Sequence, residues 1–274
     1  MKILISADME GITGVITWDQ VTPGHTEYFR FRRVMTTDVN AAVRGACEGG
    51  ADEVVVADGH WNGTNILIEE LDPRAKLNTG SPSPLSMMQG IDQSVDGVFF
   101  VGYHARQGSR MAVLDHTWSD TCVANVWLNE RPAGEYTLNA ALAGHYGVPV
   151  LMATGDQAAC QQMVEQLGSL ETVVVKQGTG RYSAECLLPE ITQPMIEQCA
   201  KRSIEKLLKK DIPSSFMLKT PIKVTVELQG SDMADRAMLL PGVSRDDRKL
   251  SFTAEDMPRA YSAFRALILL SYPR

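Results

Sequence analysis

The chain has 274 residues, enough for one or two domains with a substantial buried core. Its 44% hydrophobic and 22% charged residues are ordinary for a globular protein, and no apolar run reaches the ~18 residues that a membrane span needs. A net charge of -7 argues against general nucleic-acid binding, which calls for a basic surface.

In chain order, strand-like apolar runs fall at 2–8, 53–58, 97–103, 122–128, 148–153, 171–176, 221–228 and 249–254. Helical patterns lie around 26–48, 83–90, 135–146, 156–167, 189–210 and 256–271. The alternation predicts an α/β fold with a mostly parallel sheet sandwiched by helices. Gly49-Gly50, Gly147 with Pro149, and Gly168 punctuate the pattern. Near 209–220 a Lys-Lys-Asp-Ile-Pro-Ser-Ser stretch changes the composition, so a catalytic domain over 1–210 and a small C-terminal α/β unit over 211–274 are expected. The chain opens directly on a strand pattern without a basic-then-apolar leader, and the expected compartment is the cytoplasm.

Chemistry-bearing residues gather where these strands end. Asp8 and Glu10 close the first run, two apart on an extended chain and so on one face, where like charges call for a cation. Asp58-Gly59-His60 closes the second run and Tyr103-His104 the third. In an open parallel sheet the carboxyl ends of strands share one rim, so residues distant in sequence can converge there. Carboxylates and imidazoles without thiolates suit zinc, manganese or iron in an open catalytic site, and a carboxylate such as Asp8 can bridge two ions. The five cysteines form no Cys-x-x-Cys pair and read as inert buried thiols.

Further donors come from less regular segments. Glu135 falls in the first turn of a helix opened by Gly134, where a carboxylate also suits the helix dipole, and Glu130 reads as turn chemistry. His116, just before the 122–128 run, suits a general acid or base, while Asp115 points the other way in an extended chain. Arg106 is suited either to binding a substrate carboxylate or to a structural ion pair. His25 and His145 read as structural, and Arg30, Arg32 and Arg33 as a solvated helix face. Gly178-Thr179-Gly180 lacks the third glycine of a dinucleotide fingerprint, and no Gly-x-Ser-x-Gly elbow occurs.

The combination Ser6-Ala-Asp8-Met-Glu10-Gly11, Asp58-Gly-His60, Gly102-Tyr-His104-Ala-Arg106, His116-Thr117 and Gly134-Glu135 with Leu138-Asn139-Ala140 strongly resembles the bacterial zinc-dependent D-aminopeptidases. The resemblance implies a cytoplasmic enzyme with two Zn2+ per subunit that cleaves short peptides bearing D-amino-acid N-termini. It implies that Asp8 bridges the ions, that Glu10 and His104 complete one site, and that His60 and Glu135 complete the other. His116 matches the catalytic histidine. A self-compartmentalising homodecamer is also implied. Two other readings stay open: a binuclear amidase or esterase acting on a non-peptide substrate, and a non-catalytic α/β module that binds a small molecule.

Overall fold

A computed structural model describes residues 1–272. The chain runs β1 (Lys2–Ala7), α1 (Thr26–Gly49), β2 (Glu53–Asp58), β3 (Ala75–Asn78), β4 (Gly97–Tyr103), β5 (Val123–Leu128), β6 (Arg131–Pro132) and α2 (Glu135–His145). It continues through β7 (Val150–Asp156), α3 (Gln157–Leu167), β8 (Glu171–Gly180), β9 (Ser183–Cys186) and α4 (Pro189–Leu208). It ends with β10 (Ile222–Leu228), α5 (Ser231–Ala237), β11 (Ser244–Asp246), β12 (Lys249–Ala254) and α6 (Met257–Ser271). No described helix is long and apolar enough to cross a membrane.

Seven strands form the main sheet in the order β3-β2-β1-β4-β7-β8-β9, parallel except for the edge strand β9. The chain first winds outward from β1 through β2 to β3, then returns to the other side of β1 with β4. The order therefore reverses between β1 and β4, the place where open α/β sheets form a crevice beyond their carboxyl ends. Alternating side chains feed two cores. Ile3, Ile5, Val54, Val56, Phe99 and Val101 pack in one with residues of α1 and α4. Leu4, Val55, Val98 and Phe100 pack in the other with residues of α2, α3, α6 and the second sheet. Double coverage explains why these strands are apolar on both faces.

The run at 122–128 does not join the parallel sheet. As β5 it pairs antiparallel with β10, inside a five-stranded sheet ordered β11-β12-β10-β5-β6. That sheet draws strands from both sides of the expected 210/211 division. The helix expected around 83–90 is replaced by one 3-10 turn at Ser86–Met88. Pro82 and Pro84 bias the residues before them away from helix, and Gly90 with a φ of 103° ends the segment.

Candidate metal centre

The crevice between β1 and β4 holds the expected cluster. Asp8 and Glu10 follow β1 on a turn that passes close under the end of β4. The closeness requires glycine twice. A Cβ on Gly11 would stand 2.0 Å from the Tyr103 carbonyl oxygen, and one on Gly102, whose φ is +77°, would stand 2.3 Å from the Asp8 carbonyl oxygen. The Gly11 N–H meanwhile donates to the Gly102 carbonyl at 2.7 Å. His104, directly after β4, is thereby brought beside Asp8, with Nε2 to Oδ2 at 3.4 Å. His60, beyond β2, reaches Asp8 Oδ1 at 3.3 Å and Glu10 Oε2 at 3.2 Å through Nδ1. Glu135, in the first turn of α2, sets Oε1 3.1 Å from His104 Nε2 and 3.5 Å from His116 Nε2. All six side chains are buried.

Each imidazole is oriented by a backbone carbonyl. His60 Nε2 lies 2.7 Å from the Val21 oxygen, His104 Nδ1 3.0 Å from that of Ala105, and His116 Nδ1 2.9 Å from that of Leu114. A carbonyl only accepts, so each of these nitrogens carries a proton, and it is the opposite nitrogen of each ring that faces the carboxylates, where it can bind a metal once unprotonated. Leu114 has a φ of 49°, a costly conformation for a branched side chain, and its carbonyl is the one that receives His116.

Acceptor atoms thus face one another. Asp8 Oδ2, Glu10 Oε2 and His104 Nε2 are buried without a hydrogen-bond partner. Only protons or cations can satisfy such a cluster. Burial disfavours the imidazolium forms of His60 and His104, yet the carboxylates of Glu10 and Asp8 around the first and of Glu135 and Asp8 around the second raise both pKa values well above the ordinary one. Burial likewise opposes the charge of Asp8, but His104 and His60 hold its pKa well below the usual range.

The spacing fits a metal. Two donors each bound at about 2.0–2.2 Å to one tetrahedral zinc stand roughly 3.3–3.6 Å apart. The nitrogen–oxygen separations among Asp8, Glu10, His60, His104, Glu135 and His116 run from 3.1 to 3.9 Å and bracket that figure. Asp8–Glu10–His104 and His104–His116–Glu135 each bring three donor atoms within 4.8 Å of one another. The short contacts join His60 to Glu10 and His104 to Glu135, with Asp8 common to both.

Comparison with known proteins identifies the family. A family profile described as D-aminopeptidase matches residues 1–266. The chain belongs to the D-aminopeptidase family. A D-aminopeptidase of Bacillus subtilis (strain 168) is 34% identical over 273 residues, which are 99% of this chain and 98% of the relative. Among solved structures, the zinc-dependent D-aminopeptidase DppA from Bacillus subtilis, a self-compartmentalizing protease, superposes with a TM-score of 0.93 at 33% identity, covering 99% of this chain and 98% of that one. Membership makes the chain a metallopeptidase-type hydrolase on a largely parallel α/β frame.

Other residues support the cluster without joining it. Asp58, two before His60, does not face the carboxylates. Its oxygens accept from the backbone N–H groups of Asn65 and Ile66 and from the Asn65 amide, which also donates to the His60 carbonyl. It therefore shapes the loop that carries His60. Asp115 turns away, accepting from the Gly108 and Ser109 N–H groups and pairing with Arg181 at 3.4 Å. Gly178 to Gly180, expected as a turn, complete strand β8 by pairing with β9, and Arg181, on the turn that follows, braces Asp115. His25 pairs with Asp19 on the surface, and His145 is exposed at the end of α2.

Lys176 gave no functional signal beyond being a lone cation on an apolar strand. Fully buried, it donates to the carbonyls of Glu10, Ile12 and Val15 at 2.6, 2.9 and 2.7 Å, clamping the turn that carries Glu10. Burial lowers its pKa to about 8. Asp38 accepts from the Thr13 N–H in the same turn, and burial raises its pKa to about 6.

A cavity of 470 Å3 opens above the cluster, lined by Asp8, Glu10, His60, His116 and Glu135, with Trp18, Trp61 and Trp118 among its walls. The Trp118 N–H donates to Glu135 Oε1 at 2.7 Å, and the Trp18 ring meets His116 edge-on at 5.4 Å. Arg106 does not line this cavity.

Proposed function

We propose that the protein is a zinc-dependent aminopeptidase that removes the N-terminal residue of short peptides, with D-residues preferred there and two zinc ions held per subunit. The observation that carries this reading is the convergence of three imidazole nitrogens and three carboxylates at metal-ligand spacing beneath a cavity. Asp8 would be shared between the ions. Asp8, Glu10 and His104 bring three donor atoms within 4.8 Å of one another, the grouping the family resemblance implies for one ion, while His60 to Glu10 and His104 to Glu135 are the shortest contacts. Bound zinc supplies Lewis acidity toward water and toward an amide carbonyl.

The chain's own residues do the rest. Asp8, Glu10 and Glu135, as ligands of zinc, would leave it a coordination position for a free, neutral α-amino group, which would select substrates with an unblocked N-terminus. His116, with Nδ1–H fixed on the Leu114 carbonyl, presents Nε2 to accept a proton and return it to the leaving amine. Trp18, Trp61 and Trp118 narrow the cavity and exclude water around a bound peptide. The self-compartmentalizing relative supports a homo-oligomeric assembly.

The test is a panel of D- and L-aminoacyl dipeptides, free and N-acetylated, assayed with zinc occupancy measured in parallel. Cleavage confined to free N-termini, faster for D-residues and lost on chelation, is the expected outcome. Equal cleavage of acetylated substrates would instead indicate a general amidase.

A further inference from the structure

With Arg106 outside the cavity, its polarity rests on another residue. Among the described residues lining it, Arg265 of α6 is the only lysine or arginine, set against the carboxylates of Asp8, Glu10, Asp120 and Glu135. We infer that Arg265 determines specificity by binding the C-terminal carboxylate of a short peptide whose free amino terminus lies at the acidic cluster. The inference rests on the aminopeptidase reading and names what that site recognises at the far end of its substrate.

Three features make Arg265 suited to this role. Its place is fixed relative to the cluster: Tyr261, four residues earlier on the same face of α6, donates through its hydroxyl to Asn139 Oδ1 at 2.9 Å. Asn139 in turn lies four residues after Glu135 on α2, so one buried hydrogen bond ties the helix of the cation to the helix of the carboxylate. Second, the guanidinium is partly anchored. One terminal nitrogen donates to the Pro84 carbonyl at 2.6 Å, its one hydrogen bond among the described residues, and the residue as a whole is partly buried. A planar guanidinium held on one side offers its remaining donors to a carboxylate bidentately at little entropic cost. Third, the cavity brings this one cationic side chain and the donor cluster that would engage the amino terminus into the same 470 Å3, a volume suited to a short peptide with both termini free.

The experiment compares D-alanyl-glycine with D-alanyl-glycinamide, and the matching L-series, on the zinc-loaded full chain and its Arg265→Met and Arg265→Lys variants. The wild type should favour the free acid by about 10- to 100-fold in kcat/KM, mainly through KM, as for a charged hydrogen-bonded pair. In Arg265→Met that ratio should collapse toward one, and Arg265→Lys should restore part of it. Zinc content and turnover of the amide report that the variants are folded. A ratio that persists in Arg265→Met, or a wild type indifferent to amidation, overturns the role of Arg265 while leaving the peptidase reading intact. A zinc-loaded wild type that cleaves none of the four peptides overturns the peptidase reading and this inference with it.

Discussion

His104 and His116 lie face to face, with ring centroids 3.9 Å apart and planes 11° from parallel. Both turn Nε2 toward Oε1 of Glu135. Two such rings have one shared carboxylate oxygen between them, and their division of labour is open to direct measurement. With His116 as proton carrier, His116→Ala should keep two zinc ions per subunit and lose about 10²- to 10⁴-fold in kcat. A fall to one ion, read by elemental analysis of the purified variant, would make His116 a ligand instead.

Metal binding should compete with protons. In the ion-free protein the surrounding carboxylates raise the pKa of His60 and His104 well above the ordinary value despite the opposing effect of burial. Zinc must displace those protons, so apparent affinity should keep rising with pH beyond about 6.5, the ordinary imidazole pKa. A raised histidine pKa also contributes stability that is complete below the unfolded value and lost as pH rises through the folded one. Melting temperature of the metal-free protein should therefore decline toward alkaline pH, while the zinc-loaded protein should escape this part of the decline. Chelator-competition titrations and thermal melts between pH 6 and 9 give both readouts; an affinity flat above pH 6.5 would contradict the account.

Asp38 titrates in a separate window. Its pKa is raised by burial to about 6, so the native protein holds the proton more tightly than the unfolded chain, and the associated stability is lost as pH rises from roughly 4 through 6. Asp38→Asn removes this loss. The stability of the variant relative to wild type should climb by about 3 kcal/mol between pH 4 and 7, as a shift of roughly two pKa units implies. Denaturant unfolding at several pH values measures it, and a constant difference would show that the carboxyl is not the titrating group.

Gly11→Ala should be severe. Its Cβ would meet the Tyr103 carbonyl oxygen at 2.0 Å, a rigid backbone obstacle, and relief requires moving the turn that carries Glu10. We expect a destabilisation of about 3 kcal/mol or more and weaker zinc binding. Gly24→Ala is the matched comparison: Gly24 has open space around its Cβ position, though its φ of +95° adds some strain. A melting temperature and zinc affinity unchanged in Gly11→Ala would mean that the turn is more pliant than its packing indicates.

Lys176→Met tests the clamp beneath Glu10. Three buried carbonyls lose their common donor, while the cost of desolvating an ammonium disappears. The net expected loss is about 1–3 kcal/mol in stability, accompanied by reduced zinc affinity. Calorimetric zinc titration separates a positioning effect from a purely structural one, which would leave affinity unaltered.

Much of this arrangement was legible from local pattern. Asp8, Glu10, His60 and His104 all lie just beyond the carboxyl end of a strand of a parallel sheet, and such positions share a rim whatever their separation along the chain. Glu135 depended on a helix start that also suits an ordinary dipole partner, so its inclusion leaned on family resemblance. The destination of β5 was hidden because an apolar run records that it is buried but not which strand it pairs with. The same limit applies to Arg265 and Lys176. One is a typical residue of an amphipathic helix, the other a single cation on an apolar strand, and their meaning lies in which cavity or carbonyls tertiary packing sets opposite them.

The pairing of β5 with β10 has a consequence for the order in which the molecule becomes competent. Synthesis from the amino terminus delivers all six residues of the cluster by position 135. The strand between His116 and Glu135, however, has β10 as its main partner, and β10 begins only at Ile222. A nascent chain holding every donor therefore still lacks the frame that sets Glu135 opposite His104. The last fifty residues contribute no donor to the cluster, yet they decide when it can close. Ribosome-bound chains halted before β10 should bind zinc far more weakly than the released protein.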